Sequence, residues 1–179
     1  MAQQEFTDAI ALLKADHREV EELFAKFEGA TGDGKKQQIA EKICTELKIH
    51  TTIEEEIFYP ALRGKIEDDL LDEGYVEHDG AKVLINDIMA GGPGDEFYDA
   101  KVKVLSEEIE HHVKEEEEEL FPKVEKAFEA DRLTELGKRM KERFDTVQSQ
   151  GFAAAVPKGP SKTSSDAEKP KAMGSAARH

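Results

Sequence analysis

A chain of 179 residues with 38% hydrophobic composition has apolar material for one core, so one domain and a tail are expected. The net charge of -15 is uneven: residues 151 to 179 carry five Lys/Arg against Asp166 and Glu168, leaving about -18 on residues 1 to 150. Such a body repels nucleic-acid phosphate and anionic lipid, which argues against both as partners. The single cysteine, Cys44, excludes an internal disulfide and a cysteine-cage metal site. No apolar run reaches transmembrane length and Met1 to Glu5 lacks the order of a secretory signal, so the expected location is cytoplasmic.

In chain order, residues 7 to 28 place Ile10, Leu13, His17, Val20, Phe24 and Phe27 at steps of three and four, a buried helical stripe with one histidine inside it. The glycine-rich Gly29 to Gly34 ends this helix. The next stripe runs Ile39, Ile43, Leu47, His50, Glu54, Ile57 and Phe58. After Pro60 and Gly64 a third carries Leu71, Tyr75, His78, Ala81, Ile85 and Ile88, and Gly91 to Gly94 stops it. The fourth, from Asp95, holds Tyr98, Val102, Leu105, Ile109, His112, Glu116 and Leu120, with His111 about 100° round the helix from His112. Residues 131 to 148 read as a short amphipathic helix packed on the end of the bundle, and residues 151 to 179 as a disordered basic tail. No strand pattern occurs. The expected fold is all-α, an antiparallel up-down-up-down four-helix bundle over residues 1 to 150.

The histidines form a duplicated pattern. His50 to Glu54 and His112 to Glu116 are both His-x-x-x-Glu, each with a proline ten residues after the histidine, Pro60 and Pro122. Each is preceded on an earlier helix by another histidine, His17 or His78. Spacing of i to i+4 puts imidazole and carboxylate on one helix face. A single core histidine is ordinarily a satisfied polar residue. Four imidazoles and two carboxylates in one core would, without a cation, cost several kcal/mol per unpaired charge, comparable to the whole stability of a domain. The run Glu115 to Glu119 is mostly a solvated face, and Glu116 is its exception because it shares the register of Glu54.

The ligand types select the metal. Four nitrogens and two carboxylates exceed one tetrahedral zinc, and imidazole with carboxylate suits iron, ahead of manganese or zinc. Two octahedral ions offer about twelve positions. Bridging Glu54 and Glu116, four histidines and an oxo or hydroxo bridge leave about two open for a small ligand.

These motifs resemble those of the haemerythrin-like, or HHE cation-binding, family: Asp16 to Val20, His50 to Pro60, Glu77-His78 and His112 to Pro122 match in kind and order across about residues 7 to 130. The resemblance implies a non-haem di-iron centre with His17 and His50 around one iron, His78 and His112 around the other, and Glu54 and Glu116 bridging. Two positions depart from the oxygen carriers of that family. Their second histidine on the third helix is absent, since Gly74 and Lys82 stand one turn either side of His78, and Gly74 leaves room for Tyr75 or solvent. Their fourth-helix aspartate at His+5 is replaced by Glu116 at His+4. The expected function is therefore binding or sensing of oxygen, nitric oxide or peroxide at a more open iron. A peroxide-degrading, catalase-like enzyme and an iron store or sensor are the competing expectations.

Overall fold

A computed structural model describes residues 7–151, and all regular structure in them is helical. The elements are α1 (Ala9–Glu28), α2 (Asp33–Ile53) with a π-helical turn (Glu54–Phe58) and α3 (Tyr59–Leu62), α4 (Asp68–Ala90), α5 (Tyr98–Glu115) with a second π turn (Glu116–Leu120) and α6 (Phe121–Ala127), and α7 (Ala130–Gln150). Because each π turn runs straight into its neighbours, these make five continuous helices among the described residues. Helix α1 packs on α2, α2 on α4, α4 on α5, and α5 on α1, a closed ring of neighbours. None of the described helices is long and apolar enough to cross a membrane.

Local sequence explains the boundaries. Asp8 caps α1, its Oδ1 accepting from the Ala11 N–H at 2.9 Å. The fourth helix begins at Tyr98 rather than Asp95, because Asp95 instead closes a turn, its Oδ2 accepting from the Gly92 N–H at 2.8 Å. Both π turns have the same cause. Pro60 and Pro122 bring no N–H to the ladder and crowd the carbonyl four residues back. The residue before each proline bonds one step further back, Tyr59 N–H to Glu54 O and Phe121 N–H to Glu116 O. The extra residue rotates the next turn of helix: Phe58, Tyr59 and Leu62 are buried, whereas Ile57, assigned to the stripe by straight α periodicity, is only half-buried.

The expected short fifth helix is not short. Helix α7 has 21 residues and lies along α1 and α2, burying Leu133, Leu136, Met140 and Val147 until Gly151, at φ +74°, ends it. Each of those side chains contributes about 1.5–3 kcal/mol by leaving water. Gly137 permits the crossing, since a Cβ there would lie 2.6 Å from the backbone carbon of Asp8. The tail expected over 151 to 179 lies, after Gly151, outside the described residues.

The apolar core has two main parts, with a small third cluster of Ile49 and Val147. One holds Val20 to Phe27 with Ile43, Leu47, Ile85, Leu105 and Val113; the other holds Ala9 to Leu13 with Ile53, Leu71, Phe121 and Leu136. Along α1, α2 and α4 the histidine falls between these parts, as His17 falls between Leu13 and Val20, whereas on α5 His112 is flanked by Ile109 and Val113 of the first part and the second begins at Leu120. The polar layer is thus enclosed on both sides by hydrocarbon.

Candidate metal centre

The structure brings the six expected residues together: His17, His50, Glu54, His78, His112 and Glu116 are all buried, none more than 5% exposed. His111 stands apart, its side chain 64% exposed.

Every interior histidine is held from behind by a carboxylate. Nδ1 of His17 donates to Glu117 Oε1 at 2.8 Å and Nδ1 of His78 to Glu55 Oε1 at 3.1 Å. Nδ1 of His112 donates to Glu77 Oε2 at 2.6 Å, and Nδ1 of His50 to Asp16 Oδ2 at a longer 3.4 Å. The four partners are two equivalent pairs in the duplicated halves, Asp16 with Glu77 and Glu55 with Glu117. A proton on each Nδ1 leaves each Nε2 with a lone pair directed at the centre, the arrangement by which outer carboxylates orient metal-binding imidazoles.

Those lone pairs converge on two glutamates. Glu54 Oε2 lies 3.3 Å from both His50 Nε2 and His78 Nε2, while Glu116 Oε2 lies 3.3 Å from His17 Nε2 and 3.7 Å from His112 Nε2. His78 Nε2 and His112 Nε2 face each other at 3.1 Å. The Nε2 atoms of His17 and His50, both oxygens of Glu54 and Glu116 Oε2 are buried without a hydrogen-bond partner. Acceptors facing acceptors repel, and a buried unsatisfied charge is among the costliest features a fold can carry. A cation reverses the sign of each contact. Adjacent ligands about 2.1 Å from one ion stand about 3 Å apart, which these separations match. The donor set fits a cation on physical grounds.

The electrostatics agree. Burial, then the adjacent Glu116 carboxylate, pushes Glu54 well above the usual carboxylate range. Burial pulls His78 down to about 4, which keeps Nε2 unprotonated and available at neutral pH. Burial opposes ionisation of Glu55, yet hydrogen bonds from His78 and Lys82 hold it down at about 2.

Two geometric groups emerge, one of His17, His50, Glu54 and Glu116 and one of Glu54, His78 and His112. Comparison with known families decides what they belong to: the family model described as "Hemerythrin HHE cation binding domain" matches residues 8–124. The chain belongs to that family. An HHE domain binds metal cations, and here its His/Glu clusters are these two groups. The HHE fold is also that of the crystal structure of a Hemerythrin HHE cation binding domain-containing protein, an Rv2633c homolog from Mycobacterium kansasii. It matches with a TM-score of 0.72 at 23% identity over 83% of this chain and 96% of that one. A curated relative named DNA nickase, from Nostoc sp. (strain PCC 7120 / SAG 25.82 / UTEX 2576), is 29% identical over 110 residues, 62% of this chain. The chain spans only 31% of that relative.

Sequence reading missed the roles of Tyr59 and of the four carboxylates behind the histidines in this HHE site. Gly74 is not filled by Tyr75, which is half-buried and reaches the Glu55 carbonyl at 3.4 Å. Tyr59 fills it: a Cβ on Gly74 would meet the Tyr59 hydroxyl at 2.8 Å, and that hydroxyl donates to Glu116 Oε1 at 2.8 Å. The π turn rotates Tyr59 inward, an effect that straight α periodicity cannot show. Glu117 is not simply a solvated-face residue, since it holds His17 and takes the Arg18 guanidinium at 2.5 Å. Its signal was the duplication itself, which pairs Glu117 with Glu55. Asp16 and Glu77 were legible the same way, each directly before a site histidine.

Proposed function

We propose that this HHE domain is a non-haem di-iron protein, built as an antiparallel up-down-up-down bundle, that binds or senses oxygen, nitric oxide or peroxide at its buried centre. His17 and His50 would hold one iron, His78 and His112 the other, with Glu54 and Glu116 bridging. The observation that carries the reading is the set of four carboxylate-held imidazoles whose inward nitrogens meet two glutamates with orphaned oxygens. Bound iron supplies Lewis acidity and a change of oxidation state. The chain itself supplies orientation through the four Nδ1 bonds, and it excludes water through the two apolar clusters. Consecutive helices joined by short turns and packed on one another support the antiparallel order. A small space of about 10 Å³ beside the imidazoles, walled in part by Val20, Leu47, Ile109 and Val113, has room for about one small molecule and an apolar surface that suits a diatomic.

Metal analysis and the near-ultraviolet and visible spectrum of aerobically purified protein test this. Two irons per chain with bridged-iron absorption are expected; zinc alone, or no metal, defeats the redox reading. One observation favours a second reading, peroxide degradation: the Tyr59 hydroxyl is a proton donor hydrogen-bonded inside the site, and burial, then the Glu116 and Glu54 charges, keeps it protonated far above neutral pH. Oxygen release from peroxide no faster than with free iron would eliminate that enzyme. The nicking named for the Nostoc relative is outside the proposal, because a body near -18 repels DNA phosphate.

A further inference from the structure

A second group of donors stands outside the six interior residues. His111 Nε2 lies 3.1 Å from Glu115 Oε1, one turn along α5, and 3.7 Å from Glu77 Oε1 on α4. One donor atom from each of the three lies within 4.8 Å of the other two. Glu77 joins this group to the interior, since its Oε1 faces His111 while its Oε2 holds His112. A cavity of about 20 Å³ is lined by Glu73, Glu77 and Glu115, and also by Gly74, Tyr59 and Glu116. Glu116 is 3% exposed and its Oε2 has no hydrogen-bond partner. Glu77 and Glu115 therefore share one cavity with the interior Glu116, and His111 lines a second with Glu77 and His112.

The duplicated half supplies an internal control. The positions equivalent to Glu73, Gly74, His111 and Glu115 are Leu12, Leu13, Ile49 and Ile53, none more than 1% exposed. Leu12, Leu13 and Ile53 pack with Leu133 and Leu136 of α7, and Ile49 packs with Val147. Polar side chains with metal-ligating atoms thus replace hydrocarbon on the half that α7 leaves uncovered, where a cavity lined by Glu73, Glu77 and Glu115 reaches Glu116.

We propose that Glu77, His111 and Glu115 form an outer station for a divalent cation, from which cations pass Gly74 and Tyr59 to the interior ligands. One imidazole with two carboxylates is a donor set for ferrous iron, manganese, cobalt or zinc. Three solvent-accessible donors bind more weakly than the interior six, so the station fills and empties while the interior retains its ions. The proposal rests on the reading of the interior as a cation site.

Cobalt(II) chloride added to the metal-free full-length protein tests it, with filling followed by visible absorption and the number of bound ions measured by equilibrium dialysis. The wild type is expected to bind two ions tightly and a third weakly. His111→Ala/Glu115→Gln should lose the weak ion, keep both tight ones and fill at least tenfold more slowly. Glu118→Gln, which removes an exposed charge nearby, should fill at the wild-type rate. A double variant that fills as fast as wild type and keeps the third ion overturns the station alone. Equal slowing in Glu118→Gln also overturns it, by showing a general charge effect. A wild type that takes up no cobalt overturns the interior reading as well.

Discussion

The two halves of this molecule carry the same histidine and glutamate pattern and treat it differently. In the half made by α1 and α2, Leu12, Leu13, Ile49 and Ile53 are sealed, Phe121 stacks on His17 with ring centroids 5.9 Å apart, and α7 covers the outside. In the half made by α4 and α5, Gly74 and the polar Glu73, His111 and Glu115 take those places, and Tyr59 stacks on His78 at 5.5 Å in the role of Phe121. Among the described residues, the large hydrophobics left exposed, Val76, Val83, Phe97 and Val104, all fall in this second half. The pattern places its histidines and glutamate twice, and packing closes one side and leaves the other accessible.

The largest expected effect separates inner from outer histidines. His112→Ala should lose at least half the bound iron by metal analysis, whereas His111→Ala should retain two ions per chain; the opposite result would mean that His111, not His112, faces the interior. Next comes the cover over the closed half. Gly137→Ala improves intrinsic helix propensity by about 1 kcal/mol, yet its Cβ must displace the Asp8–Ala9 backbone, 2.6–2.7 Å away. A net loss of about 1–3 kcal/mol in denaturant unfolding is expected, and a gain would show that α7 crosses α1 less closely.

Tyr59→Phe makes the open half resemble the closed one. It removes the donor to Glu116 Oε1 and should cost about 1 kcal/mol while leaving two irons bound. A changed visible spectrum at unchanged iron content is the expected signature, and an unchanged spectrum would place the hydroxyl outside the iron environment.

The smallest effect compares Glu46 with its equivalent Glu108, which is exposed. Burial, then the Glu19 charge, raises Glu46 from 4.5 to about 7. A raised carboxyl is stabilising in its protonated form. The stability it allows is fully present below pH 4.5 and is lost as the pH rises through 7. Glu46→Gln should therefore be more stable than wild type at pH 8, by about 1 kcal/mol after allowing for partial exposure, with the difference gone near pH 4. Equal stability at both pH values would remove the assigned burial.

Much of the site was legible because its signal is local. His17, His50, His78 and His112 sit in phase with apolar stripes, and a helical stripe buried on one side must bury whatever stands in it. The same phase chose Glu116 over its glutamate neighbours and put His111 outside. Phase failed after Glu54 and Glu116, where a missing proline N–H makes a π turn and rotates the next residues by about 100°. Tyr59 lies in that rotated stretch, and straight periodicity misplaces it.

The sequence by itself determined the helices, the six interior residues and the duplication, because periodicity and repeat are properties of the chain taken alone. Only the tertiary structure decided that Tyr59 fills the place beside Gly74, that Glu117 and Glu55 hold the rings across the core, and that α7 covers one half. Each of those facts depends on which residue of another helix arrives at a given point in space, and no spacing along a single helix carries that information.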